Sequence, residues 1–332
     1  MKTLLTLIEK PGHVCYRYRS AAFAPALRDA GWNLEAAALP HGTLAFVRLM
    51  SQVSKADAVM LQRRLLSWWQ VRLLRRCAKR LLFDIDDAVF YRDNNSPRGH
   101  ESRRRRQRFA ATLQRCDAVL AGNDFLVEQA RQYAAAAKVH RFPTCVDAAL
   151  YRPQPTARKG GAIHLVWIGS RSTMTSLAEI QPGLAEASRR LPGLKLRVIC
   201  DAFPKLAGVT VEPVVWSEAT EAAEIAGADV GISHLPEHPW SLGKCGLKVL
   251  QYMAAGLPVI ANRYGVHEGM IAPGPSGVLA SSPSEWAAAI ERLANDPDLR
   301  AVMGAAGRRQ LESEYATTIW GPRLGEILNA RI

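Results

Sequence analysis

Short apolar runs alternate with helix-like stretches along the whole chain, and this alternation constrains the fold more than any other feature. Apolar runs of about four to eight residues separated by helical stretches are typical of βαβ units, in which helices cover both faces of a parallel sheet. The runs predict strands at 3–8, 34–39, 58–61, 81–84, 118–121 and 139–142, and then at 164–168, 196–199, 209–214, 230–233 and 258–261. Helices are predicted between the strands, and in the second half near 175–190, 218–226, 246–254, 284–295 and 297–330.

The stretch at 152–161, RPQPTARKGG, interrupts this alternation with prolines, glycines and cations, and it predicts a linker. A chain of 332 residues that is 48% hydrophobic is long enough to bury two cores. We predict an N-terminal Rossmann-like domain over 1–152, a second over 162–310, and a C-terminal helix over 311–332 that packs toward the first domain. The fold class is α/β, with two doubly wound parallel sheets. Because such sheets bind ligands outside the carboxyl ends of their strands, the two are expected to face a shared cleft.

The charge balance favours anionic partners. The 43 lysines and arginines against 30 acidic residues give a net charge of +13, which attracts nucleotide phosphates, nucleic acid or an anionic membrane surface. The arginines at 103–106 could meet nucleic acid, but no aromatic-basic interleaving or recognition-helix motif supports that option, so a nucleic-acid partner is not expected.

Targeting and metal signals are weak. The opening MKTLLTLI is followed at once by Glu9 and Lys10, and no apolar run approaches the roughly 18 residues that span a bilayer. The chain is therefore expected in the cytoplasm. Its six cysteines lie far apart without a CxxC pair, which argues against a zinc site or a disulfide framework.

The stretch at 241–265, SLGKCGLKVLQYMAAGLPVIANRYG, predicts an anion site at the start of a helix. Helical spacing places Lys244, Lys248 and Gln251 on one polar face. Gly243 and Gly246 let backbone N–H groups approach a ligand closely, and the positive end of the helix dipole adds to the charge of Lys244. The alternative is that the two lysines form an ordinary solvated face.

The same stretch resembles a known signature. GKCG-LKVLQYMAAGLPVIA is similar to the nucleotide-binding pattern EGFG-LxxLEAMAAGLPVIA of GT-B glycosyltransferases of family four (group 1), in a variant form GKxGxKxLQYMAxG. WIGS at 167–170 and GADVGISHLPE at 227–237 agree with it. The resemblance covers nearly all of 163–330 and, more loosely, the first half. It implies a metal-independent, retaining hexosyltransferase that uses a nucleotide sugar as substrate and needs no cofactor.

The resemblance also implies site residues. The backbone of the GKCG segment would meet the donor diphosphate, the loop after the first strand of the second half would add N–H groups and a cation, and Gln251 would face the ribose. The implied donor-binding residues are Gly169, Ser170, Arg171, Glu237, Gly243, Lys244, Cys245, Gly246, Lys248 and Gln251. The implied catalytic residues are Lys244, Arg171 and His13. Both family glutamates are missing, with Gly243 and Gln251 at their positions.

The motif FDIDDAVF at 83–90 ends a predicted strand with Asp84, Asp86 and Asp87, and several interpretations compete. The carboxylates could clamp a metal as in GT-A transferases, or Asp84 and Asp86 could act as in haloacid-dehalogenase phosphatases, although Ala88 stands where those enzymes have threonine. They could instead cap a turn and pair with arginines. The remaining interpretation is that they bind the acceptor.

The motif EKPGHVCYRYR at 9–19 forms the first strand-to-helix loop. The resembled family keeps a small-residue loop there, near the transferred sugar. Gly12 permits close approach, and His13 and Arg17 are candidates for contacts with the sugar or phosphates on the acceptor side. A plain capping or surface role for His13 is the alternative, and Asn123 is predicted to cap a helix.

The stretch at 63–80 predicts a basic amphipathic helix. One face carries Arg72, Arg75, Arg76 and Lys79, and another carries Leu66, Trp69, Leu73 and Cys77. Such a helix can rest on an anionic membrane and bring the protein to a lipid-linked acceptor, as a peripheral protein at the inner membrane face. An ordinary helix with a charged outer face is the alternative, and the arginines at 103–106 carry the same ambiguity.

These observations predict a retaining glycosyltransferase that moves a sugar from a nucleotide-sugar donor to a hydroxyl-bearing acceptor, which is a glycan, a lipid-linked molecule or a small molecule. A phosphatase that uses Asp84, or a non-catalytic subunit related to glycosyltransferases, are the alternatives. The non-catalytic subunit is an alternative because both family glutamates are missing.

Overall fold

A computed structural model describes residues 1–154, 163–272 and 274–330 of the chain. Within these residues the strands form two six-stranded sheets, ordered β2-β1-β3-β4-β5-β6 and β12-β11-β10-β7-β8-β9. The strands of the first sheet are β1 (Lys2–Ile8), β2 (Trp32–Ala38), β3 (Ala58–Gln62), β4 (Leu81–Ile85), β5 (Ala118–Ala121) and β6 (Val139–Arg141). Those of the second are β7 (His164–Ile168), β8 (Lys195–Cys200), β9 (Val211–Val215), β10 (Val230–Ser233), β11 (Val259–Ala261) and β12 (Gly277–Leu279). All described pairings within the sheets are parallel, which confirms the predicted α/β class.

Helices connect the strands as parallel sheets require. In the first half they are α1 (Val14–Arg19), α2 (Ala24–Asp29), α3 (Thr43–Lys55), α4 (Trp68–Cys77), α5 (Arg103–Leu113) and α6 (Asp124–Arg131). In the second half they are α7 (Thr175–Arg190), α8 (Glu221–Ala226), α9 (Leu247–Ala254), α10 (Val266–Ile271), α11 (Pro283–Asn295), α12 (Pro297–Glu314) and α13 (Thr317–Asn329). A 3₁₀ turn at Pro239–Gly243 precedes α9.

The chain divides into two compact units. Unit 1 consists of Met1–Cys145, His238–Cys245 and Thr317–Ile332, and unit 2 consists of Val146–Glu237 and Gly246–Ala316. The boundaries predicted from the sequence, at 152, 162 and 310, stay predictions. Most of the linker predicted at 152–161 lies outside the described residues.

Unit 1 has a core on each face of its sheet. One core packs residues of α3, α4, α5 and α6 against the strands, with Phe46 and Phe109 among its buried rings. The other packs α2 and α13 against the strands through Phe23, Phe142 and Trp320. Because helices cover both faces, the central strands β3 and β4 are buried at every position, which explains why they read as continuous apolar runs.

Unit 2 is built in the same way. One core contains Trp167 of β7 and Trp286 of α11, both nearly or fully buried, with Leu184 of α7 and Ile260 of β11. The strand β12 and the helix α10 were not predicted. The positions of β12 are only half-buried and form no continuous apolar run, and α10 has only six residues.

The single helix predicted over 297–330 is wrong. The structure has two helices, α12 and α13, because Tyr315 leaves the helical conformation at φ −130° and ψ 6°. The Tyr315 carbonyl accepts a hydrogen bond from Val146 N at 3.1 Å, and Ala316 forms an isolated parallel bridge with Val146. A backbone pairing with a distant segment therefore ends α12, and no local sequence signal indicates it.

The helix predicted over 63–80 is shorter than expected. It begins after Ser67, whose side chain forms a capping box with Gln70, and ends at Cys77. Its buried stripe is Val71 and Leu74, whereas Trp69 is 40% exposed. Leu66, Leu73 and Cys77 of the predicted apolar face do pack in or against the core, so the prediction is wrong only for Trp69. The S-x-x-Q cap explains why the helix starts after Ser67 and not at 63.

None of the helices in the described ranges is both long and apolar enough to cross a lipid bilayer.

Candidate functional site

Asp84, at the end of β4, is a structural group in unit 1. It is fully buried and forms an ion pair with the guanidinium of Arg19, which is also buried. Gln62 Nε2 donates to Asp84 Oδ2 at 3.3 Å, and Arg19 Nη1 donates to the Phe142 carbonyl. Burial raises the pKa of Asp84, and Arg19 opposes that rise. A carboxylate enclosed in this way cannot reach a substrate as the nucleophile of a phosphatase.

Asp86 and Asp87 share one arginine. Arg63 Nη2 donates to Asp87 Oδ2 at 2.6 Å, and Arg63 Nε lies 3.6 Å from Asp86 Oδ1. Burial works against ionisation of Asp86, but Arg63 and Arg19 hold its pKa below the usual value. Arg63 is held in turn by Cys15 Sγ, and it has φ +44°, a conformation that costs a side-chain-bearing residue free energy. The interpretation that these carboxylates pair with arginines is confirmed.

The segment His238–Cys245 carries Lys244 and is anchored to unit 1 through its backbone. Asn123 Nδ2 donates to the carbonyls of Leu242 and Lys244, at 2.9 Å each. The Asn123 Oδ1 atom accepts from Leu126 N at 2.8 Å, so the predicted helix cap is confirmed and the same side chain has a second role. Gly243 packs so closely on Ala88 that a Cβ at Gly243 would lie 2.2 Å from the Ala88 nitrogen. A glutamate cannot occupy that position in this arrangement.

Lys244 lies outside the helix that the sequence predicted for it. It caps the 3₁₀ turn in an extended conformation, at φ −69° and ψ 142°, and α9 begins only at Leu247. Lys244 and Lys248 therefore do not share a helix face. Lys244 Nζ lies 3.0 Å from Asp87 Oδ2 and 5.6 Å from the ring centroid of Trp240, and the side chain is 33% exposed. The neighbouring Cys245 Sγ lies 3.4 Å from the Asp86 carbonyl oxygen.

The first strand-to-helix loop places His13 near the charges of Arg63 and Asp86. Its Nδ1 accepts a hydrogen bond from Cys15 N at 3.2 Å and so caps α1, which confirms the capping alternative. Burial and the charge of Arg63 lower the pKa of His13, so the neutral ring keeps Nδ1 as acceptor and presents Nε2–H as a donor. Gly12, at φ +71°, is exposed, and the Arg17 guanidinium lies 4.9 Å from the Tyr18 ring centroid.

In unit 2, α9 begins at a glycine as the sequence predicted. Gly246 has φ +68°, and a Cβ there would lie 2.4 Å from Met270 Sδ, so both the conformation and the space require glycine. Lys248 follows in the first turn, with Nζ 5.0 Å from the ring centroid of Trp167. The indole Nε1 of Trp167 is buried without a hydrogen-bond partner among the described residues.

The loop after β7 does not offer the N–H groups that were predicted. Gly169 N donates to the Ile199 carbonyl at 3.0 Å, Ser170 N donates to Thr173 Oγ1 at 3.1 Å, and Arg171 N donates to Asp201 Oδ1 at 3.0 Å. All three amides are used within the unit. The Arg171 side chain, which is exposed, is what this loop can offer to a ligand.

Gln251 also differs from the prediction. It is buried, and its Nε2 donates to Tyr151 Oη at 3.0 Å and lies 3.5 Å from Glu221 Oε1. Trp216 Nε1 donates to the other oxygen of Glu221 at 2.7 Å. The amide thus belongs to an internal network of unit 2, whereas the sequence predicted a contact with ribose.

A buried polar network at the carboxyl ends of β10 and β11 was missed. His267 Nε2 lies 3.0 Å from Ser233 Oγ, and His267 Nδ1 lies 3.1 Å from Asn262 Oδ1. Asn262 also exchanges two hydrogen bonds with the backbone of Leu235, at 2.9 and 2.8 Å, and so fixes the loop that leads to Glu237. Burial and the charge of Lys248 lower the pKa of His267 to about 3. The sequence signal for this network was a polar residue at the end of each of two apolar runs, Ser233 and Asn262.

His234 and Glu237 follow β10 in that loop. Burial and Lys248 lower the pKa of His234 to about 4, so its ring is neutral at pH 7. Glu237 is exposed. In residues 1–154, 163–272 and 274–330, no group of three or more His, Cys, Asp and Glu side chains is arranged to hold a metal ion.

Comparisons with known proteins agree on one kind of fold. Residues 181–320 match a family model described as glycosyl transferase-like. A GDP-mannose-dependent alpha-(1-6)-phosphatidylinositol monomannoside mannosyltransferase from Mycolicibacterium smegmatis is 27% identical over 227 residues, which are 61% of this chain and 59% of that protein. The chain thus spans less than two thirds of the length of this curated relative.

Two solved structures match nearly the whole chain. A sucrose-phosphate synthase from Thermosynechococcus elongatus superposes with a TM-score of 0.74 at 17% identity, covering 98% of both chains. Anabaena Alr3699/HepE in complex with UDP and glucose superposes with a TM-score of 0.71 at 15% identity, covering 99% of both chains. At these identities the likeness concerns the fold.

Proposed function

We propose that this chain, a GT-B glycosyltransferase of group 1, transfers a sugar from a nucleotide-sugar donor to a hydroxyl-bearing acceptor. The observation that carries the proposal is the start of α9 in unit 2. There a glycine in the left-handed conformation precedes a helix whose first turn contains Lys248. Backbone N–H groups at a helix start, with the helix dipole and an ammonium group, suit a diphosphate.

Different residues of unit 2 are proposed to bind the phosphates and the sugar of the donor. Gly246 and Lys248 are proposed to meet the phosphates, with Arg171 as a further cation. Glu237 is proposed to accept hydrogen bonds from hydroxyl groups of the sugar, because the Asn262 network holds the preceding loop in place. Gln251 stabilises the unit from inside, and any effect of Gln251 on ribose binding would be indirect.

The residues of unit 1 are proposed to contribute charge and an acceptor site. Lys244 would stabilise the negative charge that develops on the leaving phosphate, which metal ions supply in other transferases. Asp86 Oδ1 and Asp87 Oδ1 are buried acceptors without a hydrogen-bond partner among the described residues, and they suit the hydroxyl groups of an acceptor. His13 would donate from Nε2. Retention of the anomeric configuration, with the leaving phosphate taking the acceptor proton, is part of the proposal.

A ligand screen tests the donor assignment. Calorimetry with UDP-, GDP-, ADP- and dTDP-sugars is expected to give binding for one nucleotide class. The curated relative is GDP-mannose-dependent and the HepE complex contains UDP, so GDP and UDP are the first to try. Binding followed by transfer to an added polyol supports the proposal. Binding without transfer to any acceptor favours the non-catalytic alternative, and no binding at all contradicts both.

The acceptor is proposed to be lipid-linked because unit 1 has a surface suited to an anionic membrane. The helices α3 and α4 pack side by side, with the rings of Phe46 and Trp69 at a centroid distance of 5.6 Å. Leu44 and Val47 of α3 are 68% and 47% exposed, and Trp68 is 58% exposed. We call Leu44, Val47, Arg48, Trp68, Trp69, Arg72 and Arg76 the aromatic-basic surface.

This surface combines the two forces that hold a peripheral protein. The indoles can enter the headgroup region, and the arginines attract anionic lipids. Arg72 stacks on Trp68 at 4.4 Å from the ring centroid, so charge and apolar area lie together. Other cations of the predicted basic face are paired within the unit, since Arg75 binds Asp117 and Lys79 binds Asp57. The membrane proposal therefore rests on the aromatic-basic surface, and not on the whole stretch 63–80.

Replacing Trp68 and Trp69 with serine is expected to lower sedimentation with vesicles of phosphatidylcholine and phosphatidylglycerol by about tenfold or more. Each indole that leaves water contributes roughly 1.5 kcal/mol or more. Arg72→Glu should weaken the binding further at low salt. Val302→Ser and Arg309→Glu, at exposed positions of unit 2, are the controls. Equal binding of the double variant and the parent protein, or no preference for phosphatidylglycerol, would contradict the membrane proposal.

A further inference from the structure

We propose that Asp87 is a positioning residue that holds the Lys244 ammonium in place for the phosphate groups of the donor. The inference rests on the proposed function and deepens it. From the sequence, Asp87 was predicted only as an acceptor-side residue.

Asp87 is itself fixed. It is buried, and its Oδ2 accepts from Arg63 Nη2 at 2.6 Å. Arg63 donates to Cys15 Sγ as well and lies near Asp86, so the guanidinium has little freedom. The Asp87 carbonyl accepts from Val89 N at 2.7 Å, which fixes the backbone of the turn. Arg63 thus fixes one carboxylate oxygen of Asp87, and the Val89 hydrogen bond fixes its backbone. Such a carboxylate is a suitable anchor for a flexible side chain.

The backbone of Lys244 is fixed independently. Asn123 binds the Leu242 and Lys244 carbonyls, and Gly243 packs against Ala88. The Lys244 side chain therefore extends from a fixed backbone, and its Nζ lies 3.0 Å from Oδ2 of the fixed Asp87 carboxylate. A lysine side chain ordinarily loses conformational freedom when it binds a ligand, and prior ordering removes part of that cost.

The pair leaves the ammonium able to bind phosphate. An ammonium has three hydrogens, and the single oxygen Asp87 Oδ2 takes one of them. The same oxygen is shared with Arg63 at the shorter distance, so it compensates the charge of Lys244 only in part. The side chain is 33% exposed, which gives a ligand access to the remaining donors. The opposite interpretation, in which Asp87 withholds Lys244 from the donor, predicts tighter binding when Asp87 is neutralised.

The test is a double-mutant cycle with Asp87→Asn, Lys244→Ala and the double variant. The probe is whichever of GDP, UDP, ADP and dTDP binds the parent protein, compared with the corresponding nucleoside monophosphate. Asp87→Asn is expected to weaken diphosphate binding and lower kcat by about tenfold, with little effect on the monophosphate. In the Lys244→Ala background the same change should have no further effect on diphosphate binding. Asp87→Glu, which keeps the charge, should recover part of the loss.

Asp57→Asn is the matched control, because Asp57 pairs with Lys79 at the same 3.0 Å in unit 1. It should change neither binding nor kcat. A loss of similar size in the parent and Lys244→Ala backgrounds would assign Asp87 a purely structural role, and tighter binding in Asp87→Asn would establish the withholding interpretation. Either result would contradict the role of Asp87 and leave the proposed function standing. Failure of the parent protein to bind any of the four diphosphates would contradict the proposed function, and the inference with it.

Discussion

Replacing Lys244 with alanine is expected to lower turnover by about 10²-fold or more, the cost typical of losing one preorganised charge contact with a developing anion. The Lys244 ammonium is partly exposed and held by Asp87, so it can approach a phosphate without rearrangement of the backbone. Turnover should be measured with the nucleotide sugar found in the ligand screen. Thermal unfolding of the variant should be nearly unchanged, because the buried Asp87 carboxylate keeps its hydrogen bond from Arg63 when Lys244 is removed.

Lys79→Ala is the control for Lys244→Ala. Lys79 is also a lysine of unit 1 that forms an ion pair with an aspartate, but it is 56% exposed and pairs with Asp57. It should leave kcat and KM unchanged. If Lys244→Ala keeps the turnover of the parent protein on a genuine donor, Lys244 has no part in the mechanism.

Replacing Arg19 with methionine is expected to lower the free energy of unfolding by about 3–5 kcal/mol, because it leaves the Asp84 carboxylate buried without its partner. Arg19 and Asp84 are 1% and 0% exposed, so water cannot take the place of the guanidinium. The Phe142 carbonyl loses its donor as well. Urea-induced unfolding at neutral pH measures the loss.

The same variant should respond to pH. Without Arg19, burial and the charge of Asp86 raise the pKa of Asp84 above its unfolded value, and the hydrogen bond from Gln62 opposes them only in part. The folded state then binds more protons than the unfolded state. The stability of Arg19→Met should therefore fall, relative to the parent, as the pH rises through the raised pKa. The deficit is expected to be smaller in mild acid than at pH 8.

Two further variants separate the ion pair from general damage. Arg19→Met combined with Asp84→Leu removes both charges and should recover a large part of the stability, since apolar groups of similar size can replace a buried pair. Arg141→Met removes an exposed partner of Asp124 and should cost no more than about 1 kcal/mol. Equal stability of Arg19→Met and the parent protein would show that Asp84 is protonated in the native state.

The strand pattern predicted the two sheets well because parallel strands that are covered on both faces must be apolar throughout. Eleven of the strands in the described residues were anticipated from such runs, and β12, whose positions are only half-buried, forms no continuous apolar run. The glycine at the start of α9 was also predictable, since the helical pattern begins directly after it.

The position of Lys244 was not predictable from local pattern. Its spacing from Lys248 fits a helix, yet the chain forms a 3₁₀ turn there and leaves it in extended conformation. The reason is tertiary: Asn123 and Ala88, more than a hundred residues earlier, bind and pack the segment. Likewise, nothing near Arg171 in sequence reveals that Asp201 accepts from its amide. Contacts of this range override local propensity.

The discontinuous composition of unit 1 also limits the order in which it can form during synthesis. Its core includes Trp320 against Phe142, and Arg80 donates hydrogen bonds to the Ile327 and Leu328 carbonyls at the end of α13. These partners are synthesised after all of unit 2. The N-terminal half therefore emerges with an unfilled apolar face, and unit 2 has all its residues available before unit 1 does. Expression of residues 1–152 alone should yield an aggregation-prone fragment, which a chaperone in the cell would have to shield until α13 has been synthesised.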